Sequence, residues 1–144
     1  ILVEHGIVKG TPEAAVAEGV TSVFFPHGIG HLLGLMVHDA GGFMARPEGG
    51  TRPKPEGHPY LRLTRDLEAG FVVTIEPGIY FIESLLAKAK ANGGGRTIDW
   101  KRVEALKPFG GIRIEDNVVA GTGPPRNLTR EAFAAATRHQ IDQR

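Results

Sequence analysis

The feature that most constrains this chain is a glycine-rich stretch that holds half of its histidines. Residues 24–42 read FFPHGIGHLLGLMVHDAGG and contain His27, His31 and His38. A proline stands directly before the first histidine, and glycines lie among and after all three. This composition disfavours a helix and allows a ligand to approach the main chain. The stretch therefore indicates a metal or substrate site, with a chance cluster of core or surface histidines as the alternative.

The composition argues against several classes of function. Of the 144 residues, 41% are hydrophobic and 23% are charged, and the formal net charge is +1 at pH 7. This balance argues against a nucleic-acid-binding surface. The chain has no cysteine, which excludes disulfides and thiolate metal sites and fits a reducing compartment. No apolar run is long enough to cross a bilayer. We therefore expect a cytoplasmic protein without nucleic-acid or membrane partners.

The N-terminal residues predict two short helices. Residues 1–8 place their apolar side chains on one helical face. Because the chain starts within this segment, without a capping residue, we expect it to be a piece of a longer protein. Thr11, Pro12 and Glu13 are typical of an N-cap and a first helical turn. A second helix is therefore expected to follow and to end before Gly19.

A buried carboxylate is predicted at the end of a strand. Residues 71–81 read FVVTIEPGIYF, an apolar and β-branched run that is broken at Pro77-Gly78. Strand alternation puts Thr74 and Glu76 on the same face. A buried carboxylate is costly unless it is paired or bound to metal, so Glu76 is a candidate site residue.

A second strand is predicted over residues 110–120, GGIRIEDNVVA. Strand alternation makes Arg113 and Glu115 project the same way, roughly 7 Å apart along the strand. The alternative is an ordinary exposed pair on an edge strand. The remaining segments predict a long irregular loop over residues 44–60 and helices over 82–91, 100–106 and 130–140, the last capped by Thr129 or Asn127.

His31, Glu76 and Glu115 form the candidate metal-ligand set. One imidazole and two carboxylates suit manganese, iron, cobalt or zinc. The spacing is not that of a zinc-binding helix, because Gly28 follows His27 where the His-Glu-x-x-His pattern needs a glutamate.

Three motifs in order resemble a known family. PHGIGHLLGLMVHDAGG, TIEPGIYF and GGIRIEDNVV are similar to the C-terminal motifs of the pita-bread metallopeptidases, most closely to the Xaa-Pro dipeptidase (prolidase) group, over about residues 24–129. The resemblance implies an α+β fold with a mostly antiparallel curved sheet flanked by helices. Residues 1–144 would then be the C-terminal part of one catalytic domain, without the N-terminal domain and the first strands of the catalytic domain.

The resemblance also implies a dinuclear metal site. Two divalent ions are expected, most often manganese, with cobalt, zinc or iron as alternatives. Carried over by motif, His31 would bind one ion, Glu76 would bind metal and assist proton transfer, and Glu115 would bridge both ions.

Roles toward the substrate follow from the same resemblance. His27 and His38 would line the substrate pocket and take part in catalysis, with His38 near the scissile bond. Arg62, which looks solvated from its local sequence, would hold the terminal carboxylate of a dipeptide that ends in proline. Arg113 would support Glu115 from the second shell of the site.

One departure from the family pattern limits what this chain is expected to do. The family places two aspartate ligands upstream of the histidine motif, and residues 1–30 contain no aspartate. With three of five ligands, the chain is expected to bind metal weakly and to be inactive alone, although its full-length parent would hydrolyse X-Pro dipeptides. The alternatives are a catalytically dead pita-bread binding module and an aminopeptidase that acts on longer X-Pro peptides. Unpaired sheet edges predict a homodimer or other self-association.

Overall fold

The structure is a computed structural model that describes residues 1–93 and 95–142, the last four as backbone only. Helices and strands both occur, and every pairing between the described strands is antiparallel, which confirms the predicted α+β class. The chain divides into two compact units. Unit 1 comprises Ile1–His27 and Gly78–Arg113, and unit 2 comprises Gly28–Pro77 and the chain from Ile114 onward.

The regular elements are short, and their strands form three small sheets in the described ranges. No helix of the described chain is both long and apolar enough to cross a membrane. In chain order the elements are α1 (Pro12–Ala17), α2 (Thr21–Phe24), β1 (Met44–Arg46), β2 (Gly49–Thr51), β3 (Val72–Ile75), β4 (Gly78–Tyr80), α3 (Glu83–Ala91), α4 (Trp100–Leu106), β5 (Gly111–Arg113), β6 (Asp116–Val119), β7 (Arg126–Asn127) and α5 (Leu128–Asp142).

The start of the chain differs in part from its prediction. Helix α1 is confirmed: the Thr11 hydroxyl accepts a hydrogen bond from the backbone N–H of Ala14, and Pro12 occupies the first turn. Residues 1–8, however, form turns and not a helix. Gly6 adopts a φ of 65°, a left-handed conformation that ends any helix after one turn. So short a segment gains too little from helix propagation to offset nucleation.

Unit 1 has a continuous hydrophobic core. Helices α3 and α4 lie where the sequence predicts them, and the rings of Phe24 and Phe81 pack edge to face with centroids 5.9 Å apart. This geometry is favourable for aromatic rings. The buried members of the core are Ile7, Val8, Ala15, Val20, Phe24, Leu86, Ala89, Ile98 and Val103.

Unit 2 is organised around β3, which pairs with β6 and through it with β7. The β3–β6 register runs from Val72 opposite Val119 to Ile75 opposite Asp116. Residues 44–60 are less irregular than predicted, because β1 and β2 form an antiparallel hairpin within them. The last helix is confirmed, and Asn127 is its cap, since its side-chain oxygen accepts from the backbone N–H of Arg130.

The predicted continuous strand over residues 110–120 is wrong. β5 pairs with β4 and β6 pairs with β3, and the strand is interrupted at Ile114 and Glu115. The break coincides with the one at Pro77, whose carbonyl oxygen accepts a hydrogen bond from the Ile114 N–H. Side-chain alternation therefore cannot be counted from Arg113 to Glu115, because a two-residue period requires unbroken extended backbone.

Candidate active site

The glycine-rich histidine segment lies along β3 in unit 2. Residues 29–33 run antiparallel to β3, with Leu32 opposite Val73, on the edge of β3 that β6 does not use. Three backbone hydrogen bonds hold the two together: Leu33 N–H to Val72 O at 2.9 Å, Thr74 N–H to His31 O at 2.9 Å, and Glu76 N–H to Ile29 O at 2.6 Å. This pairing sets His31 beside Thr74 and Glu76.

Gly30 permits the close approach. A Cβ atom at this position would lie 1.8 Å from the carbonyl oxygen of Thr74. No side chain can be accommodated at that distance without moving the backbone. Gly30 of the Gly28-x-Gly30 pattern is therefore required for steric reasons, because only a residue without a side chain lets the histidine segment reach β3.

Three polar side chains are buried together in this place. His31, Thr74 and Glu76 are 4%, 1% and 6% exposed, and they are the buried polar residues among those that the structure describes. The prediction that Glu76 is a buried carboxylate at the end of a strand is confirmed. Burial of such groups is tolerated only where their hydrogen-bonding capacity is used.

The hydrogen bonds of the cluster assign its donors. The Leu32 carbonyl oxygen can only accept, so His31 Nδ1, at 2.9 Å, carries a hydrogen. The ring then presents Nε2 to Glu76 Oε1 at 3.1 Å. The Thr74 hydroxyl accepts from the backbone N–H of His31 at 3.0 Å and donates to Glu76 Oε1 at 2.6 Å. Oε1 is thus the atom on which Thr74 and His31 converge.

His38 extends the cluster on its exposed side. Its ring packs edge to face on the ring of His31, with centroids 4.4 Å apart. The pKa of His38 is lowered from its ordinary value, first by loss of hydration and then by the charges of Arg62 and His31. Glu76 and Glu115 act in the opposite direction and raise this pKa. The other four predicted site residues of unit 2 therefore all act on the charge of His38.

Arg62 and Glu115 themselves are exposed. Arg62 follows the half-buried Leu61, and its carbonyl lies so near Gly42 that a Cβ there would approach it to 2.6 Å. Glu115 sits in the interruption between β5 and β6. Both side chains can therefore reach a ligand in solvent. The buried side chains of His31 and Glu76 can reach only a group that is in direct contact with them.

Two predicted site residues belong to unit 1. The ring nitrogen Nε2 of His27 lies 2.9 Å from the Tyr80 hydroxyl, and the His27 ring also packs against Phe25. Arg113 ends β5, opposite Gly78 in the register with β4. The roles of His27 and Arg113 at the site stay predictions.

The donor set of the cluster fits a metal ion in part. An imidazole nitrogen and a carboxylate oxygen 3.1 Å apart are the right chemistry for a divalent cation. Among the side chains that the structure describes, however, no three of the His, Asp and Glu type come close enough together to hold one. His31 and Glu76 therefore fit as part of a metal site, and the described residues do not complete it.

Two residues that contact the predicted ones, Thr74 and Tyr80, were not predicted from the sequence. Thr74 shares the strand face of Glu76, and that alternation was the signal that could have identified it. Tyr80 lies outside the histidine stretch, and nothing in the sequence pairs it with His27, since their contact spans 53 residues.

The comparisons with known proteins identify a family. Residues 2–122 match metallopeptidase family M24. The chain is 62% identical over 136 residues to an Xaa-Pro dipeptidase of Xanthomonas axonopodis pv. citri, which covers 94% of this chain and 31% of that protein. It therefore spans about a third of the length of the curated relatives it matches.

Solved structures give the same family and fold. Proline aminopeptidase P II from Yersinia pestis is 32% identical with a TM-score of 0.53, over 89% of this chain and 22% of that one. A zinc-substituted Escherichia coli aminopeptidase P in complex with product is 32% identical with a TM-score of 0.50, over the same shares. These similarities confirm the resemblance to the pita-bread metallopeptidases and the fold that it implied. The chain belongs to metallopeptidase family M24.

Proposed function

We propose that this chain is the C-terminal part of the catalytic domain of an Xaa-Pro dipeptidase, whose full-length form hydrolyses dipeptides that end in proline. The observation that carries the proposal is the buried contact between His31 and Glu76, in a chain 62% identical to a dipeptidase of that specificity. Both units would belong to one pita-bread domain. The lack of cysteine supports a reducing compartment such as the cytoplasm.

His31, Glu76 and Glu115 would hold the divalent ions in the full-length enzyme. Manganese is the first candidate, with cobalt, zinc and iron as alternatives, since imidazole and carboxylate ligands suit all four. A pair of such ions would supply Lewis-acid chemistry, which polarises a peptide carbonyl and activates water. The isolated chain, with three of five ligands, would bind metal weakly and would be inactive.

The side chains of this chain would bind the dipeptide and move protons. Arg62 is exposed and can take the terminal carboxylate through two parallel hydrogen bonds. Glu76 would pass a proton to the proline nitrogen, which must be protonated before it can leave. His38 and His27 would line the pocket around the scissile bond, and Arg113 would support Glu115.

An aminopeptidase that acts on longer X-Pro peptides is the second candidate, because the two solved structures named above are aminopeptidases P. A binding module without catalysis is less favoured. Such a module gains nothing from burying a histidine and a carboxylate, and apolar residues of similar volume would be at least as stable there.

Self-association is also proposed for the isolated chain. β5 is exposed along its whole length, and the neighbouring Phe109 is 82% exposed. An exposed strand flanked by apolar side chains is a template for pairing with another copy. Sedimentation of the chain over a range of concentrations tests this: a mass that stays at 15.5 kDa would contradict it.

A chimaera tests the catalytic proposal. This chain would replace the matching segment of the Xanthomonas dipeptidase, and hydrolysis of Gly-Pro and of Gly-Pro-Leu would be compared with manganese present. We expect Gly-Pro to be the better substrate. Glu76→Gln should abolish activity, whereas the matched change at an exposed glutamate, Glu48→Gln, should leave it unchanged. Preference for the tripeptide would favour the aminopeptidase, and a folded but inactive chimaera would favour the binding module.

A further inference from the structure

We propose that Thr74 is a positioning residue of this site. Its buried hydroxyl fixes the orientation of the Glu76 carboxylate and joins that carboxylate to the main chain of His31. The catalytic consequence of this arrangement rests on the proposed dipeptidase function. The arrangement itself rests on the geometry of unit 2 alone.

The hydroxyl of Thr74 has one hydrogen, and the contacts leave one way to use it. The His31 backbone N–H donates to Oγ1 at 3.0 Å, so this contact occupies a lone pair of the hydroxyl. A carboxylate oxygen is an acceptor, so at 2.6 Å the hydroxyl hydrogen points at Glu76 Oε1. This distance lies within the range of O–H···O hydrogen bonds.

Thr74 connects the histidine segment and the strand by two independent links. Its backbone N–H donates to the His31 carbonyl, and its side chain accepts from the His31 N–H. Main chain and side chain of one residue therefore hold both polar groups of the His31 backbone. A displacement of Thr74 would move the imidazole and the carboxylate together.

The Glu76 side chain needs such a restraint. Rotation about its last torsion is soft, because that torsion joins sp³ and sp² carbons. With the Thr74 hydroxyl donating to Oε1, one carboxylate oxygen is held toward His31 Nε2 at 3.1 Å. Side chains that orient a ligand carboxylate in this way affect metal affinity or activity by about 10- to 100-fold when they are replaced.

The matched variants are Thr74→Val, which keeps the shape and removes the hydroxyl, and Thr74→Ser, which keeps the hydroxyl. Thr64→Val is the control in the same unit, since the Thr64 hydroxyl donates to the Arg52 carbonyl and contacts neither His31 nor Glu76. In carbon-detected NMR of this chain, Thr74→Val should shift the Glu76 carboxyl signal, whereas Thr74→Ser and Thr64→Val should leave it in place. An unchanged signal in a folded Thr74→Val chain would overturn the proposal.

The wild-type chain provides a measurement that does not depend on a variant folding. A hydroxyl hydrogen that is buried and bound to a carboxylate exchanges slowly with water. We therefore expect a resolved hydroxyl proton signal for Thr74, with a nuclear Overhauser effect to the His31 N–H. A Thr74 hydroxyl proton that exchanges as fast as that of an exposed threonine would contradict the geometry.

The chimaera separates positioning from a purely structural role. For Gly-Pro, Thr74→Val should lower kcat by about 10- to 100-fold with KM nearly unchanged, and Thr74→Ser should restore most of kcat. Equal losses in the two variants, or a loss confined to KM, would overturn the positioning role. An inactive wild-type chimaera would contradict the dipeptidase function, and the NMR signals of the chain would then decide the position of Thr74 by themselves.

Discussion

The two units differ in what they bury. Unit 1 buries hydrocarbon, and Phe24, Val8, Val20 and Val103 are among the most deeply buried side chains of the described chain. Unit 2 buries Val73 beside His31, Thr74 and Glu76. A hydrophobic interior stabilises a fold without directional constraints, whereas a polar interior is stable only in the one arrangement that satisfies its hydrogen bonds. Unit 1 therefore supplies stability, and unit 2 holds the buried polar cluster of the candidate site.

The two units also differ in the interactions that hold their segments together. In unit 1, side chains from helices α1 to α4 pack together with those of the Val8–Ile98 bridge. In unit 2, β3 is flanked on one edge by β6 and on the other by residues 29–33, so backbone hydrogen bonds do most of the positioning. The consequence is that unit 1 should be sensitive to lost volume and unit 2 to any group that separates two backbones.

The largest effect is expected from a cavity in unit 1. Phe24→Ala removes a fully buried ring and should lower the free energy of unfolding by about 4 kcal/mol. Urea denaturation followed by the fluorescence of Trp100, the single tryptophan, reports on this unit directly. Phe109→Ala is the control, because that ring is exposed and its loss should change stability by less than about 0.5 kcal/mol. A loss below about 1 kcal/mol for Phe24→Ala would contradict a core centred on this ring.

In unit 2 the most damaging small change is expected at Gly30. Gly30→Ala would force the histidine segment away from β3 and should destabilise unit 2 by about 3 kcal/mol. Hydrogen exchange of the Thr74 and Glu76 amides, which donate to that segment, should accelerate strongly. Gly123→Ala is the matched control, since a Cβ there meets open space. Unchanged protection of the two amides in Gly30→Ala would show that the segment does not depend on this contact.

Helix caps provide a smaller test of the same contrast. Thr11→Ala in unit 1 removes one side-chain cap and should lower stability by about 1 kcal/mol. Asn127→Ala in unit 2 removes a cap and also the hydrogen bond from Asn127 Nδ2 to Asp116, so about 2 kcal/mol is expected. Thermal denaturation of both variants measures the difference. Equal losses would mean that the Asp116 contact adds nothing to the cap.

The smallest effect is expected from a surface ion pair. Arg126 Nη2 and Glu131 Oε2 lie 2.7 Å apart and both side chains are well exposed, so Glu131→Gln should lower stability only slightly at low salt and by less at 1 M salt. Urea denaturation at the two salt concentrations checks this. A loss as large as that of Asn127→Ala, persisting in high salt, would show that exposed pairs contribute to unit 2 as buried ones do.

The sequence predicts those parts of the molecule in which local rules and tertiary structure agree. The capped helix after Thr11 and the helix over residues 100–106 follow from capping and periodicity, and both are present. The buried position of Glu76 follows from strand alternation, because β3 is continuous up to Ile75. The candidate metal ligands were predicted from the sequence motifs that contain them, and the structure brings His31 and Glu76 into contact.

The missed features depend on contacts between distant segments. The alternation in residues 110–120 looks unbroken, and its interruption at Ile114 and Glu115 arises because β5 and β6 pair with different strands. Likewise, Thr74 reads as an ordinary strand residue until the histidine segment is placed beside it. The interruption has no local signal, and the only one for Thr74 is that it shares the strand face of Glu76, because each feature requires a partner about 40 residues away in the chain.

The central claim is that unit 2 is built around the His31–Thr74–Glu76 cluster, and long-range ¹H–¹⁵N NMR of the His31 ring tests it most directly. We expect Nδ1 to carry a hydrogen that is bonded to the Leu32 carbonyl, and Glu76→Gln to shift the Nε2 signal while Glu48→Gln leaves it unchanged. A ring without a hydrogen on Nδ1, or an Nε2 signal that does not respond to Glu76→Gln, would contradict the cluster and the candidate site with it.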